Sequence, residues 1–151
     1  MKIVQFQTWH YYSFLARLIP RPMADYRSLE KHMTDPTHAV TWMEGERVIA
    51  IGGVAEMWRG SGEAWALLSA AALAKPVALR KVAEAYLAGA QQNFWRIQAT
   101  VRADFREGNR WVQSLGFSHE TPTGPMKGYG PDGADYELYA MEGKMEWAQQ
   151  H

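Results

Sequence analysis

A long amphipathic segment between two strand-like stretches is the feature that most constrains how this chain folds. From Pro76 to about Asn93, apolar residues recur at helical spacing and charged residues lie on the other faces. A short apolar run at 63–68 precedes the segment, and an alternating run at 95–101 follows it. This order predicts two parallel strands that are neighbours in one sheet and are linked by a right-handed helical crossover. The predicted buried face of the helix consists of Leu79, Val82, Ala83, Tyr86, Leu87 and Ala90.

The sequence on either side of this unit predicts further strands and short helices. Pro20 and Pro22 interrupt a helical stretch at 13–32, so we expect two short helices there, followed by a turn at 34–36. Gly116 ends a second long helix at 107–115, and we read 59–62 as a loop. The other predicted strands are 3–6, 39–43, 47–54, 117–119 and 136–141.

These elements predict an α/β (α+β) fold with a mixed, mostly antiparallel sheet and helices on both faces. A length of 151 residues is that of one ordinary domain. We therefore expect a single domain at 1–143 and a loose or weakly helical tail at 144–151. The longest near-apolar run, 64–74, is too short to span a membrane, which takes about 20 residues.

Composition excludes several kinds of site. The 16 basic residues equal the 16 acidic ones, which argues against a general nucleic-acid or membrane-surface binder. The chain has no cysteine, so disulfides, thiolate metal sites and a cysteine nucleophile are excluded. The five histidines lack metal-ligand spacing, and we expect no metal. With no signal-peptide pattern at its start, the chain is expected in the cytoplasm.

Three stretches resemble the GCN5-related N-acetyltransferase (GNAT) family. Residues 39–54 are similar to its central hairpin, which ends in Gly-Gly, and 110–117 to its helix-to-strand corner, which ends in Leu-Gly-Phe. Residues 128–140 are similar to its closing hairpin. The amino-acid sequence of that hairpin, together with Glu63-Ala64-Trp65, is most similar to degenerate members of the family that tailed bacteriophages encode. Some of those relatives are internal virion proteins.

The resemblance implies acetyl-CoA as cofactor. In the family, the pantetheine arm pairs with the fourth strand, and the pyrophosphate lies at the N-terminus of the next helix. In this chain those positions are Leu67, Leu68 and Ser69 on the strand, with Lys75, Pro76 and Arg80 at the helix. Asp104, after the fifth strand, is a further cofactor candidate, although a local ion pair with Arg102 is the explanation we favour.

The chain departs from the family pattern at three places. The phosphate loop at 70–75 contains no glycine, so backbone cannot approach a phosphate closely, and Ser69 is placed to cap a short extra helix instead. Phe105 stands where the family commonly has asparagine, and Val112 stands where it often has the tyrosine acid. The catalytic candidates that remain are Glu56 and Glu63 as base and Tyr136 and Tyr139, beside Tyr129, as acid.

Three functions stay open at this point. The first is an acetyl-CoA-dependent N-acetyltransferase with weak activity on an unknown amine or protein acceptor. The second is a non-catalytic virion protein that retains the fold and contacts other virion proteins. The third is a host-directed phage effector in the host cytoplasm. The sequence leaves self-association undecided, and no nucleic-acid or membrane partner is expected.

Overall fold

The computed structural model describes residues 2–14 and 39–146. Most of the stretch 13–32, where two helices are expected, lies outside the described residues, and so do the expected turn at 34–36 and the end of the tail. Ser13 and Phe14 are described, and they are the last two residues of the observed helix at Thr8–Phe14. By its internal contacts the chain forms two compact units: unit 1 comprises Met1–Ala55 and Ala64–Ala83, and unit 2 comprises Glu56–Glu63 and Glu84–His151. The single domain expected at 1–143 stays a prediction.

Twelve elements follow one another along the described chain. They are β1 (Lys2–Gln5), α1 (Thr8–Phe14), β2 (Ala39–Glu44), β3 (Arg47–Trp58), β4 (Ser61–Leu68), α2 (Ala70–Leu73), α3 (Pro76–Ala90), a 3₁₀ turn (Gln91–Asn93), β5 (Arg96–Arg102), α4 (Arg106–Ser114), β6 (Ser118–His119) and β7 (Tyr136–Glu142). Among the described helices, none is long and apolar enough to cross a membrane.

The strands form one seven-stranded sheet in the order β1-β2-β3-β4-β5-β7-β6. The pairs β1–β2, β2–β3, β5–β7 and β6–β7 are antiparallel, whereas β4 and β5 are parallel. The prediction of a mixed, mostly antiparallel sheet is confirmed. The prediction that the two strands flanking α3 are parallel and adjacent is also confirmed.

Helix α3 shows the face that its periodicity predicts. Leu79, Leu87 and Ala90 are buried, and the three other apolar positions of that face are half-buried. Pro76 is the first helical residue, where its missing N–H costs nothing.

Unit 1 is built on a hairpin. Strands β2 and β3 are joined by a tight turn with Gly45 at φ 59°, a conformation that glycine adopts without strain. The hairpin packs with β1, α1 and β4. The buried cluster of this unit consists of Phe6, Tyr11, Phe14, Ala39, Met43, Val48, Ile51 and Leu67.

In unit 2 the connection before β4 is shorter than expected. The predicted loop at 59–62 is wrong in its second half, because Ser61 and Gly62 already pair with β5. Only Arg59 and Gly60 form the turn, and Gly60 has φ 83°. The Gly60 carbonyl accepts hydrogen bonds from the backbone N–H groups of Trp95 (2.9 Å) and Arg96 (3.1 Å), so the start of β5 holds the turn in place.

Candidate functional site

The glycine-free loop after β4 folds into a short helix, as the sequence predicts. Ser69 is the N-cap of α2: its Oγ accepts from the Ala72 N–H (3.3 Å) and donates to the Ile49 carbonyl (2.8 Å). The loop amides from Ala72 to Lys75 all bond to loop carbonyls. These four amides are therefore used within the loop and are not available to a phosphate.

The start of α3 presents the remaining phosphate-binding features of unit 1. The first α3 amide to bond backwards is that of Leu79, to the Lys75 carbonyl (2.9 Å). Because Pro76 has no N–H, the first turn offers the amides of Val77 and Ala78. Lys75 forms an ion pair with Glu44 at the end of β2, and both side chains are partly exposed. The Lys75 charge is thus shared with a carboxylate that the sequence analysis did not consider.

The parallel ladder of β4 and β5 is short. It runs from Ser61↔Arg96 to Glu63↔Gln98 and ends there. Leu67 is buried and Leu68 is half-buried in the rest of β4, which belongs to unit 1. The end of the ladder leaves Glu63 as the last paired residue of β4.

Glu63 and Glu56, the two candidate bases, differ in their surroundings. The half-buried Glu63 accepts a hydrogen bond from Thr100 Oγ1 on β5 (3.3 Å). Glu56 lies exposed on β3, and its carboxylate makes no hydrogen bond or ion pair to another described residue. Of the two, Glu63 has the more defined position.

Tyr136 and Tyr129 lie together in unit 2. Their rings meet edge to face with centroids 5.5 Å apart. Tyr136 is buried, whereas Tyr129 is half exposed. Burial, and after it the Glu63 carboxylate, raises the pKa of the Tyr129 phenol. The structure thus brings two of the three candidate phenols together.

Tyr139 is different, because its hydroxyl already has a partner. The buried Tyr139 donates to Asn109 Oδ1 (2.6 Å), and its ring stacks on that of His119 at 4.9 Å. Asn109 Nδ2 in turn donates to the carbonyls of Arg102 (3.0 Å) and Phe105 (2.7 Å). Burial, and after it the Glu137 carboxylate, raises the pKa of the Tyr139 phenol. This tyrosine connects β7 to α4.

Arg102 and Asp104 form the local ion pair that the sequence analysis considered. Arg102 Nε lies 2.8 Å from Asp104 Oδ1, and Arg102 Nη1 lies 2.7 Å from Asp132 Oδ2. Asp132 Oδ1 also accepts from the Ala134 N–H (3.1 Å), and this bond, followed by the Arg102 pair, lowers the pKa of the carboxyl. The role of Asp104 towards a cofactor stays a prediction.

Of the five histidines, His10 and His119 lie within the described residues, and both have hydrogen-bonding partners. His10 is buried, and its Nδ1 lies 3.0 Å from the Gln7 N–H and 2.8 Å from Thr41 Oγ1. His119 Nε2 lies 2.6 Å from Glu137 Oε2, and this contact, after a hydrogen bond from Thr121, lowers the pKa of the Glu137 carboxyl. No group of three potential metal ligands occurs within 2–14 and 39–146.

Sequence reasoning missed Glu44, Thr100, Asn109 and Asp132 as partners of the candidate residues. Asn109 is the one with a local signal, because asparagine in a helix is unfavourable unless its side chain binds a nearby carbonyl. The other three carry no such signal.

Several solved structures with a similar fold are acetyltransferases. The ribosomal-protein-S18-alanine N-acetyltransferase from Escherichia coli is 15% identical, with 96% of this chain and 95% of that one covered and a TM-score of 0.71. The acetyltransferase of GNAT family from Streptococcus pneumoniae is 12% identical, with 94% and 99% covered and a TM-score of 0.69. The chain is also similar to yncA from Salmonella typhimurium, solved with its cofactor acetyl-CoA: 15% identity, 97% and 95% covered, TM-score 0.67.

These likenesses establish the GNAT-like fold that the sequence predicted. No family model and no curated protein sequence matches the chain.

Proposed function

We propose that this chain is an acetyl-CoA-dependent N-acetyltransferase of low activity, of the reduced kind that tailed phages encode, acting on an amine or protein acceptor in the host cytoplasm. The observation that carries the proposal is the end of the parallel β4–β5 ladder at Glu63↔Gln98, within a fold shared with acetyltransferases. Beyond Glu63, the N–H and C=O groups of the β4 backbone are no longer paired with β5. A pantetheine arm needs backbone groups of this kind for its hydrogen bonds.

The residues of unit 1 fit acetyl-CoA in part. The backbone at Leu67 and Leu68 suits the pantetheine arm. The first turn of α3 at Pro76, with the positive charges of Lys75 and Arg80, suits a pyrophosphate. The loop between them does not, because its amides bond internally and Ser69 Oγ caps α2. We therefore expect binding that relies on few charge contacts. When bound, acetyl-CoA supplies the acetyl group as a thioester.

Unit 2 supplies the groups that move protons. In our proposal, the Glu63 carboxylate removes a proton from the acceptor ammonium, while Thr100 holds the carboxylate in place. The Tyr136 hydroxyl is the preferred acid for the departing thiolate, since no described residue forms a hydrogen bond to it. Tyr139 is a poor acid because its proton is engaged by Asn109. Glu56 is the alternative base.

A second function has its own support. The amides of the loop after β4 bond within the loop, and Val112 is buried at the position where the family often has its acid. Both features are expected of a protein that has lost catalytic activity. The alternative is a non-catalytic virion or host-directed interaction protein that retains the fold.

One experiment separates the two. Thermal unfolding with and without acetyl-CoA measures binding, and thiol release against peptides, polyamines and host lysate measures transfer. We expect a small upward shift in Tm and slow turnover that is lost in Glu63→Gln. A shift without turnover would favour the non-catalytic alternative, and the absence of both would refute the proposed function.

A further inference from the structure

Strand β1 is the outer edge of the sheet in unit 1, and within the part of the chain that the structure describes it pairs with β2 alone. Three of its four residues are exposed, among them the apolar Ile3 at 44%. An exposed edge strand presents a row of N–H and C=O groups to which another extended strand can bond. The chemistry of this edge therefore specifies a β-strand as its partner.

The pairing with β2 determines which backbone groups of β1 point outwards. The Phe6 N–H, directly after β1, donates to a carbonyl of β2 (3.1 Å). Alternate residues of an antiparallel ladder bond towards the same neighbour, so Val4 and Lys2 bond to β2 as Phe6 does. The N–H and C=O groups of Ile3 and Gln5 consequently point away from β2, towards the exposed edge.

These outward groups match those of a second copy of the same strand. If two antiparallel β1 strands are related by a two-fold axis at Val4, Ile3 of each copy lies opposite Gln5 of the other. Each such pair exchanges two N–H···O=C bonds, so every outward group of β1 is used. The two Val4 side chains, each half-buried against the core of its own unit 1, then lie directly opposite one another, which suits a β-branched residue.

The two neighbouring registers use these groups less well. An axis at Gln5 would place Ile3 opposite Gln7, whose N–H donates to His10 Nδ1 (3.0 Å) and whose carbonyl accepts from the His10 N–H (2.9 Å). An axis at Ile3 would place Gln5 opposite residue 1, which lies outside the described residues. The described backbone groups therefore favour the register centred on Val4.

Charge does not oppose this pairing of two copies. In the register centred on Val4, the cationic Lys2 lies opposite the neutral Phe6 of the other copy, so like charges do not meet directly across the axis. The formal net charge of the whole chain is zero, and long-range repulsion between two copies is therefore small. The strand is self-complementary both in its hydrogen-bonding groups and in its charge.

We propose that two copies of this chain associate through β1 into a weak, symmetric dimer, in which one sheet runs through both copies. The strand is short and the interface correspondingly small, so we expect a Kd of about 0.1 mM. The inference is independent of the proposed acetyltransferase function, because β1 contains none of the residues assigned to acetyl-CoA or to catalysis.

Sedimentation equilibrium of the full chain, with any purification tag at its C-terminus, measures the association between about 5 µM and 1 mM, a range that brackets this Kd. We expect the average mass to rise from that of a monomer towards that of a dimer. Ile3→Pro removes one outward N–H from each copy and leaves the inward bonds of Lys2 and Val4, so it should weaken association about tenfold or more. The matched control, Ile3→Val, keeps the N–H and should associate like the parent.

Single cysteines report the register directly, because the chain has no cysteine of its own. Opposed residues of a non-hydrogen-bonded pair have Cα atoms about 4.5 Å apart, which is close enough for a disulfide. Val4→Cys should therefore cross-link two copies under mild oxidation. In Lys2→Cys, the matched control, the two cysteines lie about 13 Å apart along the strands, and cross-linking should be slow. This measurement also decides the question if Ile3→Pro does not fold.

Rapid cross-linking of Val4→Cys alone, together with weakened association of Ile3→Pro, supports the inference. Equal cross-linking of Lys2→Cys and Val4→Cys would overturn it, as would parent-like association of a folded Ile3→Pro. A parent that stays monomeric at the highest concentration would overturn it as well and would leave the β1 edge to a strand of another protein.

Discussion

The Tyr139 hydroxyl donates a 2.6 Å hydrogen bond to Asn109 Oδ1, thirty residues away in the chain. The bond commits the phenol of a fully buried side chain to holding β7 against α4, and its proton is not available for transfer. Tyr136, on the same strand, has no such partner among the described residues. The two tyrosines, equivalent candidates in the sequence, therefore have different roles.

Phenylalanine substitutions should separate these roles. Tyr139→Phe leaves Asn109 Oδ1 without its donor and should lower the free energy of unfolding by about 1–3 kcal/mol, with turnover close to the parent's. Tyr136→Phe should leave stability within about 0.5 kcal/mol and reduce turnover roughly 100-fold or more. Urea denaturation and thiol release measure the two effects. Turnover lost in Tyr139→Phe and retained in Tyr136→Phe would reverse the assignment.

Acetyl-CoA affinity should depend on the charge at the start of α3. Lys75→Glu and Arg80→Glu should each weaken binding by up to about fivefold, since an exposed charge contact contributes up to about 1 kcal/mol. Added salt should weaken the parent as well. Glu44→Gln frees Lys75 from its ion pair and should tighten binding by a few-fold. Calorimetry measures all of these, with Lys144→Glu in unit 2 as the control. Parent-like affinity in both α3 variants would place the cofactor elsewhere.

The Ser69 cap should contribute measurably to stability. Ser69→Ala removes the N-cap of α2 and leaves the buried Ile49 carbonyl without its hydroxyl donor, so we expect a loss of about 1–2 kcal/mol. Ser114→Ala is the matched control, because that exposed hydroxyl bonds only within α4 (2.6 Å to the Trp111 carbonyl) and should matter by less than about 0.5 kcal/mol. Equal stabilities of the two variants in urea would contradict the assigned cap.

His10 should make unit 1 sensitive to mild acid. Its Nδ1 accepts from the Gln7 N–H, with Thr41 Oγ1 also in reach, and burial lowers its pKa. The unfolded chain then binds the proton first. Stability should be complete above the ordinary histidine pKa of about 6.5 and should fall as pH decreases below it.

His10→Asn offers an amide oxygen in place of Nδ1 and cannot take up the proton. Urea denaturation at several pH values between about 7 and 5 should show a shallower decline for this variant than for the parent. Parallel declines would show that another group titrates.

Local sequence determined much of the fold. The apolar spacing of α3 marks its buried face, Pro76 marks its first residue, and Ser69 marks a cap that satisfies an amide three residues on. The alternation and turns in the remaining strands sufficed to predict a mixed sheet. These features rest on interactions between residues close in sequence, which explains why the residues themselves reveal them.

Tertiary structure alone decided which candidates can act. The partner of Lys75 is 31 residues before it, and that of Arg102 is 30 residues after it. Glu63 meets Thr100 across the parallel ladder, 37 residues on, and the two neighbouring tyrosines of β7 face opposite sides of the sheet. No residue pattern encodes such contacts, because they depend on strand register and on the return path of a loop. A one-residue shift in register would exchange the faces of the sheet on which Tyr136 and Tyr139 lie.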